Sequence, residues 1–248
     1  MNRASAVPLG VLAAALLPSA ALAQMPDLST LIPPGGGSAS GRIIQMVALL
    51  TVLSLAPGLL IMVTSFTRFV VALSFLRTGL GLQTTPANIV MISLALFLTF
   101  YVMAPTFDRA WRDGLQPLMQ NEITEKEAYS RVTEPFREFM LAHVRDKDLQ
   151  TFESLAAESL RIRPEGEKVD LRVIIPAFMV SELRRAFEIG FLIVMPFLVI
   201  DMVVATLTMS MGMMMMPPTV FALPFKVLFF VLIDGWNLLA VGLVRSYL

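Results

Sequence analysis

Cysteine is absent from this 248-residue chain. That excludes disulfides, thiolate zinc sites, iron–sulfur clusters and cysteine nucleophiles together. Histidine occurs once, as His143, which leaves no room for the usual imidazole-based metal and triad constellations. Charge is scarce, at 15% of residues against ~25% in an ordinary soluble domain. The 19 cations and 19 anions cancel, so no net field draws nucleic acid or anionic lipid to the chain as a whole. Trp and Tyr together number five. What remains is apolar: 56% of residues are hydrophobic and the mean hydropathy is +0.73. Methionine, at 17 residues, is unusually common. The composition is that of a polytopic membrane protein, not of a soluble enzyme.

The few charges are clustered. Of 38, 28 lie between Asp108 and Arg185, so a polar block (108–185) separates two apolar blocks (42–107 and 186–248), each long enough for two bilayer spans. Residues 1–23 read as a cleavable secretory signal, with Arg3 at the positive start, an apolar stretch over 7–17 and the small-x-small site Ala21-Leu22-Ala23. Residues 24–41, with Pro26, Pro33, Pro34 and three consecutive glycines, form a flexible lead on the translocated side. The first span carries Pro57-Gly58 in its middle and is expected to kink there. The second is expected over 89–103, closed by Pro105. Arg68 and Arg77 fall between them with no acid, which places that connection in the cytoplasm and the polar block and C-terminus outside. From 43 to 76 Arg68 is the only charge, a stretch of ~50 Å if helical against a hydrocarbon core of ~30 Å. Either the helix breaks near Pro57 or protein, not lipid, covers part of it.

The polar block reads as helical. Thr124 and Glu127 form a capping-box pattern, and Ala128, Val132, Phe136, Phe139, Met140 and Val144 make one stripe at helical spacing. Pro135 bends that helix. A second helix is expected from Asp148, with Leu149, Phe152, Leu155, Ala156 and Leu160 on one side, and a third with Pro176 in its first turn. No alternating strand pattern occurs. Phe139 and Phe152 either pack between these helices or project into a shared channel.

Ionisable groups inside a membrane are costly and are functional candidates by default. Between Glu188 and Arg245 at its edges, the last block holds three: Asp201, Lys226 and Asp234. Folded as a hairpin about Pro217-Pro218, it brings Asp201 and Asp234 to similar depth as buried membrane carboxylates. Lys226 is then left ~12 Å from either along the axis, so it snorkels to the cytoplasmic edge or meets a carboxylate from another chain or element. Two membrane aspartates could serve an aspartyl protease, but neither VIDMVV nor LIDGWN has a Gly-x-Gly-Asp setting. They could also serve a small polytopic transporter or channel. Eight of the 17 methionines lie between Met195 and Met216, four of them consecutive before Pro217. Methionine is flexible and fits changing shapes. Four in a row cannot share one helical face, so they suit a turn that could close as an apolar collar or lie in lipid.

The run PAFMVSELRRAFEIGFLIVMPFLVIDMVVATLTMSMGMMMMPPTVFALPFKVLFFVLIDGWNLL resembles the C-terminal hallmark of the FliP family of type III export-gate proteins, and LAPGLLIMVTSFTRFVVALSFLRTGLG and ALFLTFYVMAP resemble its upstream part. The signal-like leader is similar to the flagellar rather than the injectisome branch. The resemblance implies an all-α fold of membrane-type helical hairpins with a helical periplasmic-side insertion, assembling as a helical, pseudo-pentameric ring of five copies. FliQ and FliR would join it, with FlhB, FlhA and the MS ring around it, in the bacterial inner membrane at the flagellar basal body. Unfolded flagellar export substrates would pass through. By position it implies a pore gasket at Met213, Met214 and Met215, pore constrictions at Phe139 and Phe152, and an inter-subunit charge pair of Glu182 and Lys226. It implies no enzyme and no cofactor.

Overall fold

A computed structural model describes residues 39–82, 84–159, 169–212 and 217–248. The expected methionine gasket, Met213–Met215, lies outside them, as do the signal and most of the lead. Every regular element among the described residues is helical. The chain divides into two units, 1–51 and 52–248. In the first, only the start of helix α1 (Ala39–Met62) is described, with Thr51 Oγ1 donating back to the Val47 carbonyl at 2.7 Å.

The second unit begins within α1 and continues through α2 (Phe66–Gly79), α3 (Asn88–Arg109), a π-helical stretch (Ala110–Leu115) and α4 (Gln116–Met119). Then come α5 (Glu125–His143), α6 (Asp146–Ser159), α7 (Leu171–Ser210), α8 (Pro218–Leu232) and α9 (Gly235–Arg245). Pro57 does not break the first apolar run; the break falls at 63–65, between α1 and α2. Pro105 likewise sits inside α3, and the helical path runs on to Met119. A proline removes one backbone bond and crowds the carbonyl four residues back, a loss that apolar surroundings tolerate when neighbouring turns hold. Pro176 is internal as well: α7 starts at Leu171, where Asp170 Oδ1 accepts from the Arg172 N–H at 2.8 Å.

The short helix α2 is the hub. Eight of its 14 residues are buried, and at ~21 Å it is too short to cross a bilayer alone. Phe69, Ala72, Leu73 and Leu76 pack on Phe197 of α7, Phe230 of α8, and Leu239, Leu243 and Tyr247 at the C-terminus. Close approach of α2 to α7 depends on Gly190, where an added Cβ would stand 2.3 Å from the Phe75 ring and 2.9 Å from its Cβ.

The polar block folds on the first half of α7. Thr124 caps α5 in the expected box, accepting from the Glu127 N–H while Glu127 Oε2 accepts from the Thr124 N–H. Met140, Val144, Ile174, Ala177 and Phe178 make a second core. Ser181 of α7 fastens α6: its hydroxyl donates to Asp148 at 2.7 Å and accepts from the Arg145 N–H. Helix α6 starts two residues earlier than expected, and Leu155 of its stripe is exposed.

Helices 88–119 and α7 are long and apolar enough to cross a membrane, and α8 with α9 makes a further candidate bent by 64° at their junction. The 40 residues of α7 amount to ~60 Å, twice a hydrocarbon core. The last apolar segment is thus two helices and not one. Asp234 adopts a left-handed conformation (φ 50°) at the bend, one of the few residue types that tolerates it.

Candidate functional site: two buried ion pairs at the ends of α2

Helix α2 is held to α7 by charge at both ends. At its first turn, Arg68 makes a two-pronged contact with Glu182 of α7: Nε donates to Oε2 at 2.8 Å and Nη2 to Oε1 at 2.5 Å. Both side chains are 0% exposed. Such forked pairing uses the planar guanidinium fully. Arg68 Nη1 also donates to the carbonyl and the hydroxyl of Ser246, each at 2.9 Å. The Tyr247 hydroxyl donates to Glu182 Oε2, and its ring lies 3.6 Å from the guanidinium carbon, a cation–π contact. His143 closes the rim, with Nδ1 on the Phe139 carbonyl at 2.7 Å and Nε2 facing the Tyr247 carbonyl at 3.3 Å. The last residues of the chain thus cover the pair like a lid.

At the other end, Lys226 of α8 donates to Asp201 of α7 at 2.6 Å and to the Gly79 carbonyl in the last turn of α2 at 3.0 Å. A cation suits that carbonyl-rich helix end. Lys226 is nearly buried, whereas Asp201 is 29% exposed. Asp201 Oδ1 itself is buried and has no hydrogen-bond partner among the described residues.

These positions correct the hairpin register. Helix α7 ends at Ser210 and α8 begins at Pro218, so the turn starts well before the proline pair. Asp201 lies nine residues before Ser210 and Lys226 eight after Pro218. They match in depth; Asp201 and Asp234 do not. Asp234 is exposed at the α8–α9 bend, where it accepts from Asn237 at 3.1 Å. The geometry required of a two-aspartate protease or proton relay is not assembled in this chain. Within the single chain Lys226 is held by Asp201 and Gly79 and does not snorkel.

Glu182 and Lys226, expected to pair across subunits, are each held by other groups of the same chain. Arg68 is also reassigned. In the sequence it counts as a cytoplasmic connection charge, but it lies inside α2 beside Glu182, at the end of α7 that carries the polar block. Only Arg77 of the two marks the far end. Ser246 and Tyr247 meet Arg68 and Glu182, which sets the C-terminus at the end of α7 that carries the polar block. Phe139 stacks on Tyr247 and meets Phe178 edge-on, and Phe152 packs on the second core. In the single chain both are packing residues.

Sequence reasoning overlooked Arg68, Ser246, Tyr247 and His143 as one cluster. The available signal was Arg68 itself, one charge in an apolar run.

A family model described as "FliP family" matches residues 49–243. The flagellar biosynthetic protein FliP of Rhizobium meliloti (strain 1021) is 66% identical over 215 residues, covering 87% of this chain and 88% of that protein. Its namesake in Caulobacter vibrioides is 50% identical over 242 residues (96% and 88%), and that of Bacillus subtilis (strain 168) 52% over 205 residues (82% and 91%).

Proposed function

This chain belongs to the FliP family, and on that premise we propose that it is a pore-forming subunit of the flagellar type III protein export gate in the bacterial inner membrane. It is a conduit component without catalysis, and the polar block faces the periplasmic side. Unfolded flagellar proteins cross through an axial pore built from five copies, with FliQ and FliR completing the gate and FlhB, FlhA and the MS ring around it. Met213, Met214 and Met215 seal that pore when it is closed.

The observation that carries this reading is the apolar surface of α7. The helix is twice as long as a hydrocarbon core, yet Phe187, Phe191, Leu192, Met202 and Leu207 along it are more than half exposed. A surface that lipid alone is too thin to cover fits a helix packed against copies of itself. Imaging of the purified protein is expected to reveal a pentamer with a narrow axial channel; a monomer or dimer would overturn the proposal. Small residues in place of Met213–Met215 are expected to raise ion leakage, and unchanged permeability would count against the seal. The Glu182–Lys226 contact between neighbours belongs to the same proposal, and forming it requires both intrachain pairs to open. Glu182→Lys should then impair assembly and Lys226→Glu partly restore it.

A further inference from the structure

His143 is the one histidine of the chain and the last residue of α5. Both of its ring nitrogens face carbonyl oxygens. Nδ1 lies 2.7 Å from that of Phe139, one turn back in the same helix, and Nε2 lies 3.3 Å from that of Tyr247. A neutral imidazole carries a single N–H, so it donates to one of the two and turns a lone pair on the other. The charged ring donates to both. The ring packs on Phe139 and Tyr247, with centroids 4.5 and 5.0 Å away, and is only partly buried. Packing therefore holds it in place while water can deliver or remove the proton.

The charges around the ring are spread over several elements. A cation suits the carbonyl end of α5. Arg68 of α2 lies against the Tyr247 ring, and the forked carboxylate of Glu182 on α7 meets its charge. Arg145, two residues beyond His143, stands 3.9 Å from Asp148 of α6. Arg185 of α7 acts on the Tyr247 hydroxyl, and Arg245 ends α9 just before Ser246. Histidine is the side chain whose ordinary charge change falls between pH 5 and 8. We propose that His143 is a pH-dependent latch for residues 246–248. Protonation clamps this strap to the end of α5 and closes it over the Arg68–Glu182 pair; loss of the proton leaves one carbonyl without a donor and lets the strap lift. Since only the closed strap offers the charged ring both carbonyls, added protons favour closure. The latch lies within one chain and stands whether or not that chain lines an export pore.

The test is hydrogen–deuterium exchange of the full-length protein in detergent between pH 5 and pH 8, corrected for the intrinsic pH dependence. The Tyr247 and Leu248 amides donate to the Val244 and Arg245 carbonyls and report the strap. Their protection is expected to be about tenfold higher at pH 5 than at pH 8, the low end for a hydrogen bond to a charged group. His143→Gln, which cannot change charge, should flatten that profile while every carboxylate stays in place. A second readout needs no substitution at position 143: magnetic resonance of the protein isotope-labelled at its one histidine follows the imidazole directly. Deleting residues 246–248 should lower the pH at which this ring takes up its proton by about one unit, the same tenfold factor seen from the other side. Strap protection that does not vary between pH 5 and pH 8 overturns the latch. So does an equal pH dependence in His143→Gln, which would assign it to Glu182 or Asp148, and so does an imidazole whose titration ignores the deletion.

Discussion

The two ion pairs at the ends of α2 use similar chemistry in opposite ways. Arg68 and Glu182 are sealed from solvent, and both carboxylate oxygens and the guanidinium are occupied. Lys226 and Asp201 are partly open, and one oxygen of Asp201 has no partner among the described residues. The 19 residues along α7 from Glu182 to Asp201 span ~28 Å, close to the thickness of a hydrocarbon core. The comparison separates structure from adaptability. A closed, saturated pair can only be kept or broken, whereas an open pair with a spare acceptor can add a contact when the assembly forms. The sealed pair fixes the fold at the polar end, and the open pair lies toward the methionine-rich turn, where the proposed gate must move.

Breaking the sealed pair is expected to have the largest effect. Glu182→Gln leaves Arg68 charged and without a carboxylate, a loss of about 3–5 kcal/mol for a buried pair. Thermal melting of the detergent-solubilised chain, followed by tryptophan fluorescence, should fall by about 6 °C or more. Replacing both partners by apolar residues, as in Arg68→Met with Glu182→Leu, should recover part of that loss, because no buried charge is left over. A double variant as unstable as the single one would show that the pair contributes more than charge compensation.

Next comes the lid. Tyr247→Phe removes the hydroxyl bond to Glu182 but keeps the ring over Arg68, and should cost about 1.5–3 kcal/mol, the range for hydrogen bonds to charged groups. Deleting residues 246–248 removes the Ser246 contacts as well and should cost more. If both changes melt like the unaltered protein, the chain end covers the pair without stabilising it.

The open pair should respond less. Lys226→Met is expected to cost about 1–2 kcal/mol, since the ion pair is partly solvated and only the Gly79 bond is well buried. A double-mutant cycle on Lys226 and Asp201 should give a smaller coupling energy than one on Arg68 and Glu182. Equal couplings would erase the distinction between the two ends.

Local features were legible in the sequence and tertiary ones were not. The Thr124–Glu127 box was readable because three residues of spacing specify both of its bonds. The all-helical class and the polar insertion followed from hydropathy and charge clustering. The hairpin register failed because Pro217-Pro218 looks like the apex, while α7 stops seven residues earlier. Its end is marked by Gly212 at φ 75°, a conformation that favours glycine, and counting back from Ser210 and forward from Pro218 pairs Asp201 with Lys226. The bend at Asp234 gives no comparable signal, since Asp is common outside such conformations. Arg68 was visible as an anomaly, but its partner lies 114 residues away, and no local pattern links them. Position alone made Phe139 and Phe152 candidates for a pore, and only packing sets them against the cores of the single chain.

The smallest predicted effect contrasts the two ion pairs of α2 with the carboxylates that cap helices. Glu127 is held below the usual carboxylate range by the backbone and hydroxyl hydrogen bonds of Thr124, and Asp170 by the Arg172 side chain and then its N–H. A carboxylate whose folded pKa is depressed stabilises the fold above its unfolded value, and that contribution is lost as pH falls toward the folded one. Acidification from pH 5 to about pH 3 should therefore loosen the first turns of α5 and α7. Amide exchange should quicken, once corrected for the intrinsic pH dependence, near Lys126–Ala128 and Val173–Ile174, while α2 between its two ion pairs keeps its protection. Because both caps sit at solvent-facing helix ends, the global melting temperature should move far less than with Glu182→Gln. Loss of α2 protection in the same pH interval would mean that the caps and the buried pairs open as one unit, and the independence of the two ends would fail with it.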